Sequence, residues 1–166
     1  MKNNYLVMMT CACLPATALA ADFNGHWVRD NARSDKESYP LYWLTRGGGE
    51  QGGGGGGGEF VISVRQDAKG LTITDSQHPL RNYPLDGKPH TVTTDTGMAK
   101  ATITAGTQGE TLVISTVQPY GGMPGNVSMT VRDVWSLSPD GKTLTIARTR
   151  EVPATKQSSK EVYSRK

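Results

Sequence analysis

The chain has 166 residues, two cysteines and a formal net charge of +3. That length suffices for one domain with a real core and is short for two. Basic and acidic residues are interleaved, with no lysine and arginine stripe carrying aromatics between its charges, so nucleic acid is not an expected partner.

The chain opens with "MKNNYLVMMTCACLPATALAADF". Lys2 supplies a short positive segment, Tyr5 to Leu14 are almost all apolar or small, and "ALA" at Ala18–Ala20 precedes Ala21. This order predicts a signal peptide, residues 1–20, cleaved before Ala21. The apolar run is too short to anchor in a bilayer, so no membrane span is expected. Pro15 and the missing polar face argue against a buried N-terminal helix. Neither Cys11 nor Cys13 fits the leucine-plus-small-residue pattern of a lipid attachment site, and the expected location is therefore periplasmic or secreted. Both cysteines fall in the leader, so residues 21–166 have no disulfide, thiol nucleophile or cysteine metal site.

Beyond the leader, "GHWVRD" at Gly25–Asp30 reads as a first strand. "NARSDKESYPLYWLT" follows and can hold a short helical turn. The tract Thr45–Phe60, "TRGGGEQGGGGGGGEF", holds ten of the 20 glycines. A phosphate loop needs a lysine and a Ser or Thr after its last glycine, then a helix. Here Glu59, Phe60 and a strand follow, and no βαβ unit surrounds the tract. Glycine has no side chain to bury and loses the most entropy on ordering. Residues 46–58 are therefore expected to be a flexible, solvated connection.

After the tract, alternation becomes regular. "FVISVRQ" and "LTITDS" flank "DAKG", where Gly70 can take a positive φ. "NYPL" and "HTVTT" flank "DGKP"; "MAKATIT" and "TLVISTVQ" flank "AGTQGE". "VSMTVRDVWSLS" and "KTLTIARTRE" flank "PDG", and "SKEVYSRK" can form one more strand. Eight to ten short strands result, with no sustained helical stripe. Such a run of hairpins predicts an all-β, antiparallel up-and-down meander closed as a barrel, in one domain over residues 21–166.

The hairpin at Pro139–Lys142 fixes a register. It sets Leu137 against Leu144, Trp135 against Ile146, and Asp133 against Arg148, apolar facing apolar and acid facing base. The inward face then starts apolar near the turn and becomes polar further along. Whether Asp133 and Arg148 are interior or form a surface pair at a wet strand end stays open.

"FNGHWVRDNARSD", "LDGKPHT" and "VWSLSPDGKTLTI" resemble segments of bacterial exported lipocalin-like proteins, small barrels of the calycin type. The resemblance implies a lipocalin-like barrel whose Gly-x-Trp tryptophan, here Trp27 after Gly25, lies at the closed end. It also implies an arginine from the last part of the barrel packed on that ring, with Arg148, Arg150 and Arg165 as candidates. The chain lacks the C-terminal helix of larger lipocalins, which leaves room for a smaller, fatty-acid-binding-like barrel.

Catalytic patterns are sparse. His26, His78 and His90 lack a second ligand at metal spacing and read as surface residues. Met98, Met123 and Met129 lack a copper-type repeat. No "GxSxG" elbow is present. No cofactor or metal site is therefore assigned. Two segments can carry binding: "YPLYWL", with Tyr39, Tyr42 and Trp43, as a rim or as a simple plug, and the long "QPYGGMPGN" loop, with Tyr120 and Met123. Together with Asp133, Trp135 and Arg148 these are the candidate ligand-binding residues. The expected function is an exported, non-enzymatic barrel binding a small apolar or amphipathic ligand in the cell envelope. The alternative is a packed barrel acting through its surface on an envelope protein, as an inhibitor or assembly factor.

Overall fold

The computed structural model describes residues 21–36, 59–75, 80–93, 99–120 and 127–166. The predicted leader, residues 1–20, and the glycine connection, residues 46–58, lie outside the described residues. Ten strands form one antiparallel sheet: β1 (Gly25–Arg29), β2 (Val61–Gln66), β3 (Gly70–Asp75), β4 (Arg81–Pro84), β5 (Pro89–Thr93), β6 (Lys100–Gln108), β7 (Thr111–Pro119), β8 (Ser128–Leu137), β9 (Thr143–Val152) and β10 (Thr155–Arg165). Their spatial order is β4-β3-β2-β1-β10-β9-β8-β7-β6-β5. The first strand therefore pairs with the last, Trp27 against Arg165, and the meander curls into a nearly closed barrel. The seam lies between β4 and β5. It is bridged by the turn between them, where the Gly87 amide donates to the Ala105 carbonyl at 2.9 Å.

Alternation places one set of side chains inside. Trp27, Ile62, Val64, Leu71, Ile73, Tyr83, Leu112, Ile114, Trp135, Leu144, Ile146 and Tyr163 form one buried cluster with Phe23. The cluster gathers where the tight turns after β2, β4, β6 and β8 lie, beside the start of β1 and the end of β10. The connections after β1, β3, β5, β7 and β9 leave from the far end. A second, smaller cluster of Met129 and Val131, with Val152 against it, lies toward that far end.

The β8–β9 register is Leu137↔Leu144, Trp135↔Ile146 and Asp133↔Arg148, as the turn chemistry predicts. Gly141 supplies a φ of 67° in that turn, a conformation that glycine adopts without steric cost. Three local expectations differ. Gly70 has no positive φ; a Cβ there would lie 3.1 Å from the Tyr83 carbonyl oxygen, so glycine serves close strand approach instead. β6 runs through Gly106 to Gln108 because Gly106 packs against Gly87, and the turn is confined to Gly109 and Glu110. β10 starts at Thr155 rather than Ser159, because the ladder to β9 continues through Thr155↔Val152. After β1 the chain bends over Asn31–Arg33, where the Asp30 carboxylate accepts from the amides of Ala32 and Arg33, both at 3.0 Å.

Candidate functional site

The interior has an apolar floor and a polar band above it. The floor is closed by Trp27, fully buried, whose Nε1 donates to the Phe23 carbonyl at 3.0 Å. Phe23 in turn meets Trp135 edge-to-face, centroids 6.0 Å apart. Arg165 is the arginine on the tryptophan: its guanidinium carbon lies 4.4 Å from the Trp27 ring centre. Arg148 and Arg150 lie elsewhere on the inner face.

Arg148 belongs to the polar band. Its Nε donates to Asp133 Oδ1 at 2.7 Å and its Nη2 to Asp133 Oδ2 at 2.9 Å, a two-pronged pair that is interior rather than at a wet strand end. The third side of the guanidinium faces Glu161, with Nη1 3.5 Å from Oε1. The Tyr163 hydroxyl donates to Glu161 Oε2. Arg29, on the same face because β1 pairs Arg29 with Tyr163, adds a second cation to the band.

Each charge state follows from these contacts. Burial pulls Arg148 down, but contact with Asp133, aided by Glu161, outweighs it and holds the guanidinium charge above its ordinary range. Burial pushes the Glu161 carboxyl up, against the opposing pull of Arg148 and the Tyr163 hydroxyl. Burial, then the neighbouring Glu161, pushes the Tyr163 hydroxyl well above its ordinary value. The band therefore keeps one firm ion pair, Asp133–Arg148, beside a carboxyl that resists ionisation.

Toward the far end the inner face is mixed, with polar side chains beside the apolar Met129 and Val131. β7 contributes Thr116 and Gln118, both buried. β9 contributes Arg150, whose Nε donates to Met129 Sδ at 2.9 Å. Its guanidinium also lies over the Tyr120 ring, 5.8 Å from the centroid. Tyr120 itself is 40% exposed at the rim after β7.

The structure thus brings Asp133, Trp135 and Arg148 onto one inner face and sets Tyr120 at the rim. Tyr39, Tyr42, Trp43 and Met123 lie outside the described residues. Glu161, Tyr163, Thr116, Gln118 and Arg150 complete the inner polar face, although sequence reasoning did not single them out as site residues. The signal was present in the alternation of Glu161, Tyr163 and Arg165 along β10, and of Leu112, Ile114, Thr116 and Gln118 along β7. His26 is exposed and its Nδ1 lies 2.8 Å from Ser63 Oγ. His90 is paired, its Nε2 2.9 Å from Asp86 Oδ1 across the β4–β5 turn. Among the described residues no group of three His, Cys, Asp or Glu could hold a metal ion.

A groove of about 680 Å³ lies outside the barrel, beside the β2–β3 turn and β4. Arg65, Lys69, Thr72 and Asn82 line it. Arg65, Thr72 and Asn82 alternate with the buried Val64, Leu71 and Tyr83, so they point away from the interior.

No family model matches the chain, and no curated protein matches it. Among solved structures, the chain is similar to the zebrafish ileal bile acid-binding protein in complex with cholic acid. The TM-score is 0.53 at 18% sequence identity, over 87% of this chain and 98% of that one. Identity that low carries the fold alone, a nearly closed barrel of ten antiparallel strands.

Proposed function

We propose that this chain is an exported, non-enzymatic barrel of the cell envelope that holds a small amphipathic ligand in its interior. The observation that carries the reading is the division of the inner face. An apolar floor of Trp27, Phe23 and Trp135 is topped by a buried Asp133–Arg148 pair, and the far end adds the buried polar Thr116 and Gln118 beside the apolar Met129 and Val131. A protein that only needed a packed core would gain little from interior charge, because an ion pair stabilises a fold weakly once its desolvation is counted. Ligand sites, by contrast, are mostly apolar with a few placed polar groups. The similar barrel with cholic acid supports the reading by fold alone. The leader sequence supports export.

Native mass spectrometry of the protein recovered from a periplasmic extract tests the reading. A co-purifying mass of lipid size is the expected result, and a clean ligand-free mass over repeated preparations would count against it. A second reading, action on an envelope protein through the surface, is favoured by the outer groove between β2, β3 and β4. It predicts the ligand-free mass together with a co-purifying protein, lost when Arg65 and Lys69 are replaced by glutamate.

A further inference from the structure

On the inner face of β7 two polar groups find no partner among the described residues. Thr116 is 1% exposed and Gln118 is 5% exposed. Thr116 Oγ1 and Gln118 Oε1 make no hydrogen bond among the described residues. Their cross-strand neighbours explain why. Thr116 pairs with Ile103 on β6 and with Val131 on β8, and Gln118 pairs with Met129 on β8. The first two offer no polar atom, and the Met129 sulfur already accepts from Arg150. Buried polar groups are nearly always partnered, because an unmet donor or acceptor forfeits its bonds to water without replacement. Two adjacent inner positions that both break this rule, spaced about 7 Å apart by the strand repeat, mark where a partner from outside the described residues belongs.

We infer that Thr116 and Gln118 form a head-group subsite for a neutral hydrogen-bond donor, a hydroxyl or an amide N–H, on an amphipathic ligand. The inference rests on the proposal that the interior holds a ligand, and it names the ligand's polar chemistry. Gln118 Oε1 can only accept, so its partner must donate. The Thr116 hydroxyl both donates and accepts. A hydroxyl satisfies the two together, whereas an ionised carboxylate offers no donor and would be repelled by the acceptor oxygen. The cations of the inner face do not reverse this preference. Arg148 is held by Asp133 and Glu161, Arg150 by Met129 and Tyr120, and Arg29 by Asn31 Oδ1 and the Asp35 carbonyl.

A matched pair of probes tests the subsite: dodecanoate and N-(2-hydroxyethyl)dodecanamide, titrated calorimetrically into the purified protein. The hydroxyamide is expected to bind about 10-fold more tightly, a difference of about 1.4 kcal/mol. The double variant Thr116→Val with Gln118→Leu should lose that preference and keep dodecanoate binding within about 2-fold, since its chain still meets the same apolar floor. Equal affinities in the parent, or a preference that survives the double change, would sink the subsite and leave interior binding standing. Failure of both probes to bind would overturn the two proposals together. Thermal denaturation of the free protein gives an independent readout. Replacing unpartnered polar groups by apolar ones of similar shape should raise the melting temperature by a few degrees, about 1 kcal/mol in effect on a domain this size. A lower melting temperature would show that the two groups are satisfied in the free protein by buried water, and the subsite would be abandoned.

Discussion

Arg165 lies over Trp27 with 4.4 Å between guanidinium carbon and ring centre, and the two residues pair directly across β10 and β1. The arginine does more than cover the ring. Its Nη1 donates to the Asn24 carbonyl at 2.6 Å and its Nε to the Gly141 carbonyl at 2.9 Å. One side chain thus joins the end of β10 and the residue before β1 to the β8–β9 turn and seals the barrel floor. Trp27→Ala should therefore cost roughly 3–5 kcal/mol, a large part of a small domain's stability. Arg165→Leu, losing an exposed cation–π contact and peripheral hydrogen bonds, should cost only about 1–2 kcal/mol. Urea midpoints rank the two; an equal or reversed order would show that the arginine, not the ring, holds the floor.

Gly25 makes that seal possible. Its φ is 138°, and a Cβ there would lie 3.1 Å from Arg165 Nη1 and 3.8 Å from Trp27 Nε1. The arginine tip can swing aside, but the backbone conformation remains unfavourable for an L side chain. Gly25→Ala is expected to destabilise by about 1–3 kcal/mol. The check is chemical denaturation, and an unchanged midpoint would mean that the strand start relaxes freely.

How much of this was legible in the sequence depends on the range of the interaction. The β8–β9 hairpin was readable because its turn chemistry and its alternation agree over Asp133–Arg148. The start of β10 was not, because "TKQSSK" is polar on both faces and forms a strand only through the ladder that β9 offers. Gly106 looked like part of a turn; its role depends on Gly87, which the barrel seam brings near. The choice of Arg165 among three arginines needed closure of β1 on β10, across nearly the whole chain. The polar band was half visible. Asp133 and Arg148 stood out as a cross-strand pair, whereas Glu161 shares a face with them only once β10 is set beside β9.

Glu161 should give the protein a distinctive pH response. Burial raises its carboxyl above the ordinary value of 4.5. A carboxyl raised on folding holds its proton more firmly in the native state. Its contribution to stability is whole below the unfolded value and is lost as pH rises through the folded one. The exposed Asp30, Asp67, Asp86 and Asp140 are held low, the first, third and fourth mainly by side-chain hydrogen bonds and Asp67 by backbone amides, and they act in the opposite sense as pH falls. Comparison with Glu161→Gln isolates the buried group, because glutamine still accepts from the Tyr163 hydroxyl. The parent should lose stability relative to the variant as pH rises from roughly 4 to 8. A constant difference across that range would place the Glu161 titration at its ordinary value.

The Asp133–Arg148 pair carries the sharpest test, since its geometry predicts an asymmetry. The guanidinium has two acidic neighbours, Asp133 in two-pronged contact and Glu161 at 3.5 Å. Asp133 has Arg148 as its contact cation among the described residues. Arg148→Ala leaves two buried acids facing each other without a cation between them and should cost about 3–5 kcal/mol. Asp133→Ala leaves Arg148 with Glu161 still in reach, whose carboxyl is then drawn toward ionisation, and should cost noticeably less. The double change should recover part of the sum, with a coupling of about 1–3 kcal/mol. The same logic extends to pH. In Asp133→Ala the raised Glu161 titration should move down, and the pH response argued above should shrink. Denaturation of the four proteins at two pH values reads every term. Near-zero coupling would mean that the buried pair gives no net mutual stabilisation. The pair would then not serve as a fixed polar anchor, and the case for a ligand with a polar end would rest mainly on Thr116 and Gln118.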